Sequence, residues 1–150
     1  MTRILLTIPA LTASAMAQNW VNFADETTAR MRVAGNDPSI TVNDTQEKDY
    51  AWGDVDLDGD IDLVCVRKQP FTSAGRDTNI LFMNEGVAEG HAINGVLMDR
   101  TADYVVDSDV QGDEGFLTPT NDRDVVLADL NGDGWLDMAT APTLTDNSQK

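Results

Sequence analysis

One nine-residue pattern occurs twice in this chain and constrains its backbone more than any other feature. Asp54-Val55-Asp56-Leu57-Asp58-Gly59-Asp60-Ile61-Asp62 sets side-chain oxygens at loop positions 1, 3, 5 and 9 around a glycine at position 6. Asp129-Leu130-Asn131-Gly132-Asp133-Gly134-Trp135-Leu136-Asp137 repeats the arrangement 75 residues later, with an amide at position 3. Same-side residues of an extended strand lie roughly 7 Å apart, so these oxygens converge only if the backbone curls. Gly59 and Gly134 supply the permissive dihedral at the point where it must.

The donor chemistry selects the ion class. Carboxylate and amide oxygens in this number suit calcium, which accepts about 6–8 of them, whereas zinc favours His and Cys, which both loops lack. Position 7 is Asp60 in one loop and Trp135 in the other, so the ligand expected there is the backbone carbonyl. Two calcium sites are therefore predicted. The first takes Asp54, Asp56, Asp58 and Asp62 through side chains and Asp60 through its carbonyl; the second takes Asp129, Asn131, Asp133 and Asp137, with Trp135 through its carbonyl. The competing reading, an acidic solvated turn that binds nothing, leaves crowded carboxylates repelling one another.

An EF-hand or dockerin loop shares the first half of this pattern but closes with a bidentate acid at position 12 between helices. Position 12 is Cys65 in one copy and Thr140 in the other, so neither closes that loop. The flanks, Tyr50-Ala51-Trp52 with Leu63-Val64-Cys65-Val66, and Val125-Val126-Leu127 with Leu136-Asp137-Met138, read as strands. Each loop is thus expected to be a metal-filled hairpin turn.

The repeat extends beyond the loops. Phe23-Ala24-Asp25-Glu26-Thr27 matches Leu97-Met98-Asp99-Arg100-Thr101 at an offset of 74, while Asp49 and Asp54 match Asp124 and Asp129 at 75. Several short strands per unit at this period fit a four-stranded propeller blade. The expected strands of one unit cover about 49–54, 61–67, 79–84 and 96–99. A closed propeller needs typically 4–8 blades, and the copy of Asn79–Asn84 falls beyond Lys150. The fold expected is therefore all-β: an incomplete β-propeller of fewer than two four-stranded antiparallel blades. On this reading residues 1–17 are expected to form a signal peptide, 18–48 an outer strand and connection from a preceding blade, and 49–103 the first blade. An acidic inter-blade connection over 104–122 leads to the start of a truncated second blade over 123–150.

These residues resemble the FG-GAP/VCBS repeats of integrin-alpha-like propellers, especially secreted proteins related to cartilage acidic protein and to ASPIC/UnbV-containing chains. The resemblance rests on Gly53 to Val64, on Asn79 to Gly86 and on Leu97 to Thr101, and it spans most of the chain after residue 20. Ala51-Trp52-Gly53 and Leu127-Ala128 stand where the Phe-Gly…Gly-Ala-Pro signature would begin. The resemblance implies calcium loops between the first two strands of each blade, held by the side chains named above.

The first residues point to export. Met1-Thr2-Arg3 is a short basic start, Ile4 to Ser14 is apolar or small apart from two threonines, and Ala15-Met16-Ala17 is a small-x-small cleavage site before Gln18. The run is too short to span a bilayer and contains Pro9, so no stable membrane insertion is expected. A secreted, extracellular or periplasmic location also supplies the calcium that loops of modest affinity require.

Charge narrows the partners. The formal charge is −16, with 26 acidic residues against 10 basic ones, and no basic stripe exists to neutralise phosphates, which excludes nucleic acid. Cys65 is the only cysteine, so it forms no disulfide within the chain and reads as a buried strand residue. His91 lies in a Gly-rich turn, and no phosphate loop, nucleophile motif or zinc motif accompanies it. The function expected is a non-enzymatic, calcium-stabilised module for binding or adhesion to an extracellular protein or glycan. The alternative is the N-terminal propeller scaffold of a secreted hydrolase or lyase whose catalytic residues lie elsewhere.

Overall fold

The computed structural model describes residues 23–143. The expected signal peptide and its cleavage residues Ala15, Ala17 and Gln18 lie outside the described residues. Four strands, β1 (Glu47–Gly53), β2 (Asp62–Lys68), β3 (Ile80–Glu85) and β4 (Val96–Asp99), form one antiparallel sheet in the order β1-β2-β3-β4. Two more, β5 (Asp122–Ala128) and β6 (Asp137–Pro142), form a separate antiparallel hairpin. Among the described residues three single-turn α-helices punctuate the chain: α1 (Thr27–Arg30), α2 (Pro38–Thr41) and α3 (Thr101–Tyr104). The molecule is thus mostly β, and the strands fall within about two residues of the spans expected for one unit.

The four-stranded sheet is covered on both faces. Leu63, Cys65, Ile80 and Phe82 face one way and meet Met31 and Ile40 of the N-terminal segment, together with Leu97. Ala51, Val64, Leu81 and Met83 face the other way and meet Phe116, Val105, Val125 and Leu127. All seven residues of β2 are buried as a result. A strand covered on both sides reads as a continuous apolar run, and Leu63-Val64-Cys65-Val66 is one. At about 25 cal/mol per Å² of apolar area, each fully buried Leu, Val or Phe here stabilises the fold by roughly 1.5–3 kcal/mol.

The two hairpins are built alike. Gly53 pairs with Asp62 and Trp52 with Leu63; 75 residues on, Ala128 pairs with Asp137 and Leu127 with Met138. A second correspondence follows the other offset. The Thr27 N–H donates to Asp25 Oδ1 at 3.0 Å and opens α1, and the Thr101 N–H donates to Asp99 Oδ1 at 3.0 Å and opens α3. The shift is 74, as in the sequence.

The N-terminal segment departs from expectation. No strand precedes Glu47 among the described residues, and Phe23 is exposed. The equivalent residues Leu97 to Asp99 are a strand because β3 lies beside them. Phe23 to Asp25 have no such neighbour among the described strands, so the local Asp25 turn prevails. The segment instead protects the outer edge of β4. The Asn36 side chain donates to the Leu97 carbonyl at 2.8 Å and accepts from the Asp99 N–H at 2.9 Å, as a neighbouring strand would. Arg30 Nη1 donates to the carbonyls of Asn94 and Gly95.

The acidic 104–122 connection also contributes to the core. Asp107 and Asp109 are exposed, but Phe116 is buried in the core from a short turn over Gly115–Leu117, and Asp77 bridges to Thr120.

Candidate metal centre

The first loop joins β1 to β2, and its hydrogen bonds come from its own acids. Asp54 Oδ2 accepts from the Gly59 N–H at 3.0 Å, Asp56 Oδ1 from the Asp58 N–H at 3.2 Å and Asp58 Oδ1 from the Asp60 N–H at 2.8 Å. Asp62 Oδ2 accepts from the Val55 N–H at 2.9 Å. Each acid therefore curls the chain back on itself, as the spacing predicts. The same four bonds recur 75 residues on. Gly134 donates to Asp129 Oδ2 at 3.0 Å, Asp133 to Asn131 Oδ1 at 2.8 Å, Trp135 to Asp133 Oδ1 at 2.9 Å and Leu130 to Asp137 Oδ2 at 2.8 Å.

The curl brings Asp54, Asp56 and Asp58 together, with one carboxylate oxygen of each within 4.8 Å of the others, a group that could hold a metal ion. Asp60 and Asp62 are not part of that group. The Asp60 side chain is exposed. Asp62 is 1% exposed and holds two backbone N–H groups, Val55 through Oδ2 and Asn84 through Oδ1 at 2.8 Å. It ties the loop to β3 as well as standing at position 9. In the second loop, Asp129, Asn131 and Asp133 hold the equivalent positions with one carboxylate fewer, and the Trp135 ring is half exposed.

Electrostatics favours a cation in the first loop. The Asp56 carboxyl is pushed above its ordinary value, first by removal from solvent and then by the charges of Asp58 and Asp54. Asp62 is also pushed up, chiefly by burial, with Asp56 and Asp58 adding to the effect and the Asn84 and Val55 N–H groups opposing it. Asp54 Oδ1 is buried and has no hydrogen-bond partner. An orphaned buried acceptor costs about 1–3 kcal/mol. A hard divalent ion bound by the three clustered carboxylates would satisfy it, so the residues fit a metal ion on chemistry as well as spacing.

Sequence reasoning missed one position. Gly59 and Gly134 have φ of +99° and +92°, as their place at position 6 requires, but position 4 is left-handed too: Leu57 has φ +64° and Gly132 +80°. Gly132 was the available signal, and Leu57 in the other copy concealed it.

Two further expectations meet the structure here. Cys65 is 2% exposed and burial pushes its thiol up to about 12, so it is an inert strand residue. His91 Nε2 lies 2.8 Å from Glu85, whose carboxylate Arg100 also holds, so this pairing ties the turn after β3 to the end of β4. Among the described residues no helix is long and apolar enough to cross a membrane. Compared with known protein families, curated proteins and solved structures, the chain matches none.

Proposed function

We propose that this chain is an exported, calcium-binding module of the FG-GAP/VCBS kind, built from propeller blades, that binds an extracellular protein or glycan without catalysing a reaction. The observation that carries the calcium reading is the orphaned Asp54 Oδ1 beside two further carboxylates, in a loop whose four hydrogen bonds recur at Asp129–Asp137. The blade reading is supported by the four-stranded antiparallel meander and by the second hairpin, which repeats its first two strands in register and packs against its face. Export rests on the Met1–Gln18 leader pattern, and binding rather than catalysis on the lack of any recognisable catalytic set.

In this reading calcium is structural. It joins the end of β1 to the start of β2, and that of β5 to β6, and so sets the shape of the loop face presented to a partner. The first loop supplies four carboxylates by side chain and the second three, so the first binds calcium more tightly. Calorimetric titration of the full chain tests this. Two calcium events of unequal affinity are expected, with Asp56→Ala weakening the tighter one and Asp133→Ala the weaker. No calcium heat and no calcium-dependent thermal shift would remove the proposal.

A further inference from the structure

Asn131-Gly132, in the second loop, is one of two Asn-Gly pairs among the described residues, and its surroundings set it apart. Asn131 Oδ1 accepts from the Asp133 N–H at 2.8 Å, which folds the side-chain amide back over the Gly132 peptide between them. The Gly132 N–H donates to Asp129 Oδ1 at 2.6 Å. Gly132 is exposed, holds φ +80°, and has nothing within 4 Å of the place a Cβ would take. An unhindered amide nitrogen therefore neighbours a side-chain carbonyl carbon, with a carboxylate on its proton and an N–H on the carbonyl oxygen. The other pair, Asn94-Gly95, is arranged differently. Asn94 Oδ1 accepts from the Val87 N–H at 2.9 Å, earlier in the chain, which draws its amide away from Gly95. Arg30 Nη1 holds both main-chain carbonyls of that pair.

We propose that Asn131 is a self-modification site, at which the metal-free loop converts its own amide to an acid. Asp129 takes the Gly132 proton, and the Gly132 nitrogen forms a bond to Asn131 Cγ while negative charge gathers on Oδ1 against the Asp133 N–H. The bond from Cγ to the amide nitrogen then breaks, and ammonia leaves with that proton. Water opens the cyclic imide that remains. Addition at Cγ leaves an aspartate at position 131; addition at the main-chain carbonyl leaves an isoaspartate, with the chain running on through Cγ. Water is the only reactant consumed, and nothing is oxidised or reduced.

The two products act oppositely on the second loop. An aspartate supplies a fourth carboxylate, the set that Asp54, Asp56, Asp58 and Asp62 give the first loop, and so strengthens its hold on calcium. An isoaspartate lengthens the backbone and destroys the spacing. This consequence rests on the calcium reading above, as does the protection it implies. An ion that takes oxygens of Asp129 and Asn131 removes the proton acceptor and fixes the amide, so only the metal-free loop reacts.

The test is peptide mapping by mass spectrometry on the full chain, aged at neutral pH in chelator or in excess calcium, with enzymatic methylation to count isoaspartate. In chelator, Asn131 is expected to convert severalfold faster than Asn94, and Asp129→Ala to slow it by about tenfold or more. Should Asp129→Ala lose its fold by circular dichroism, Gly132→Leu carries the same test, since Leu57 occupies this position in the first loop. Calcium is expected to halt the conversion, and Asn131→Asp to bind calcium more tightly than the wild type by calorimetry. An Asn131 that converts no faster than Asn94 in chelator, or at the same rate in folded Asp129→Ala and Gly132→Leu, would overturn the proposal; so would equal conversion in chelator and in calcium when calorimetry shows both loops filled. Fast conversion in a chain that binds no calcium would uphold self-modification and remove the calcium reading alone.

Discussion

Leu57 is where the two loops part company. It holds a left-handed conformation that Gly132 adopts freely in the other copy, and for a branched residue this costs about 1–2 kcal/mol. Leu57→Gly should therefore raise the unfolding free energy by about 0.5–1 kcal/mol, the relief of strain less the entropy of a glycine in the unfolded chain. Gly59→Ala makes the opposite test. Nothing lies within 4 Å of a Cβ built there, so its cost, about 1–2 kcal/mol, is purely that of the backbone at φ +99°. Denaturant unfolding without calcium measures both, and a destabilised Leu57→Gly would show that the leucine side chain contributes more than its backbone costs. Much of this loop was legible in the sequence, because acid spacing and glycine placement are themselves backbone geometry. The position-4 requirement was not, since Leu57 tolerates a strained dihedral and so erases the signal that Gly132 carries.

At the scale of elements, β3 and β4 are joined beyond their backbone ladder by Glu85. The residue is 8% exposed, and its carboxylate accepts from Arg100 Nε at 2.5 Å and Nη2 at 3.0 Å and meets His91 Nε2 at 2.8 Å. Arg100 first, and then His91, outweigh burial and hold this carboxyl below its ordinary 4.5. A depressed carboxylate contributes stability that is fully present above the unfolded value and is lost as pH falls through the folded one. Glu85→Gln should thus cost about 1–3 kcal/mol near neutrality, and the gap between wild type and variant should narrow as pH falls below about 4.5. Urea unfolding at several pH values reads that gap; a gap constant with pH would mean that the carboxylate charge plays no part. The strands themselves were legible, since β1 to β4 alternate or run apolar between turn residues. The single-turn helices α1 to α3 were not, because four residues carry no periodicity and their positions depend on what packs beside them. Phe23 shows the same limit from the other side: its sequence matches Leu97, but a strand also needs a neighbour.

For the whole molecule, the repeat explains how a chain with few helices and only six strands among its described residues encloses a core. The second hairpin covers one face of the first sheet and the N-terminal segment the other, and Val64, Ile80 and Phe82 are buried as a consequence. Phe82→Ala should cost about 3–5 kcal/mol, measured by thermal or denaturant unfolding; a loss under about 1 kcal/mol would mean that this face is loosely packed. The period near 75 was readable from matching residues. Which sheet face each segment covers was not, since that depends on contacts between residues far apart in sequence. Calcium bears on this scale too. An ion that binds only the folded hairpins adds about 2.7 kcal/mol per site at a hundredfold excess over its dissociation constant, so the unfolding midpoint should rise with calcium and fall in chelator.

The most direct measurement is the calcium stoichiometry of the full chain by equilibrium dialysis, with Asp56→Ala, Asp133→Ala and the double variant alongside the wild type. The paired loops predict two ions bound to the wild type, one to each single variant and none to the double variant. A wild type that binds no calcium, or a double variant that still binds two ions, would contradict the assignment of Asp54–Asp62 and Asp129–Asp137 as the metal sites.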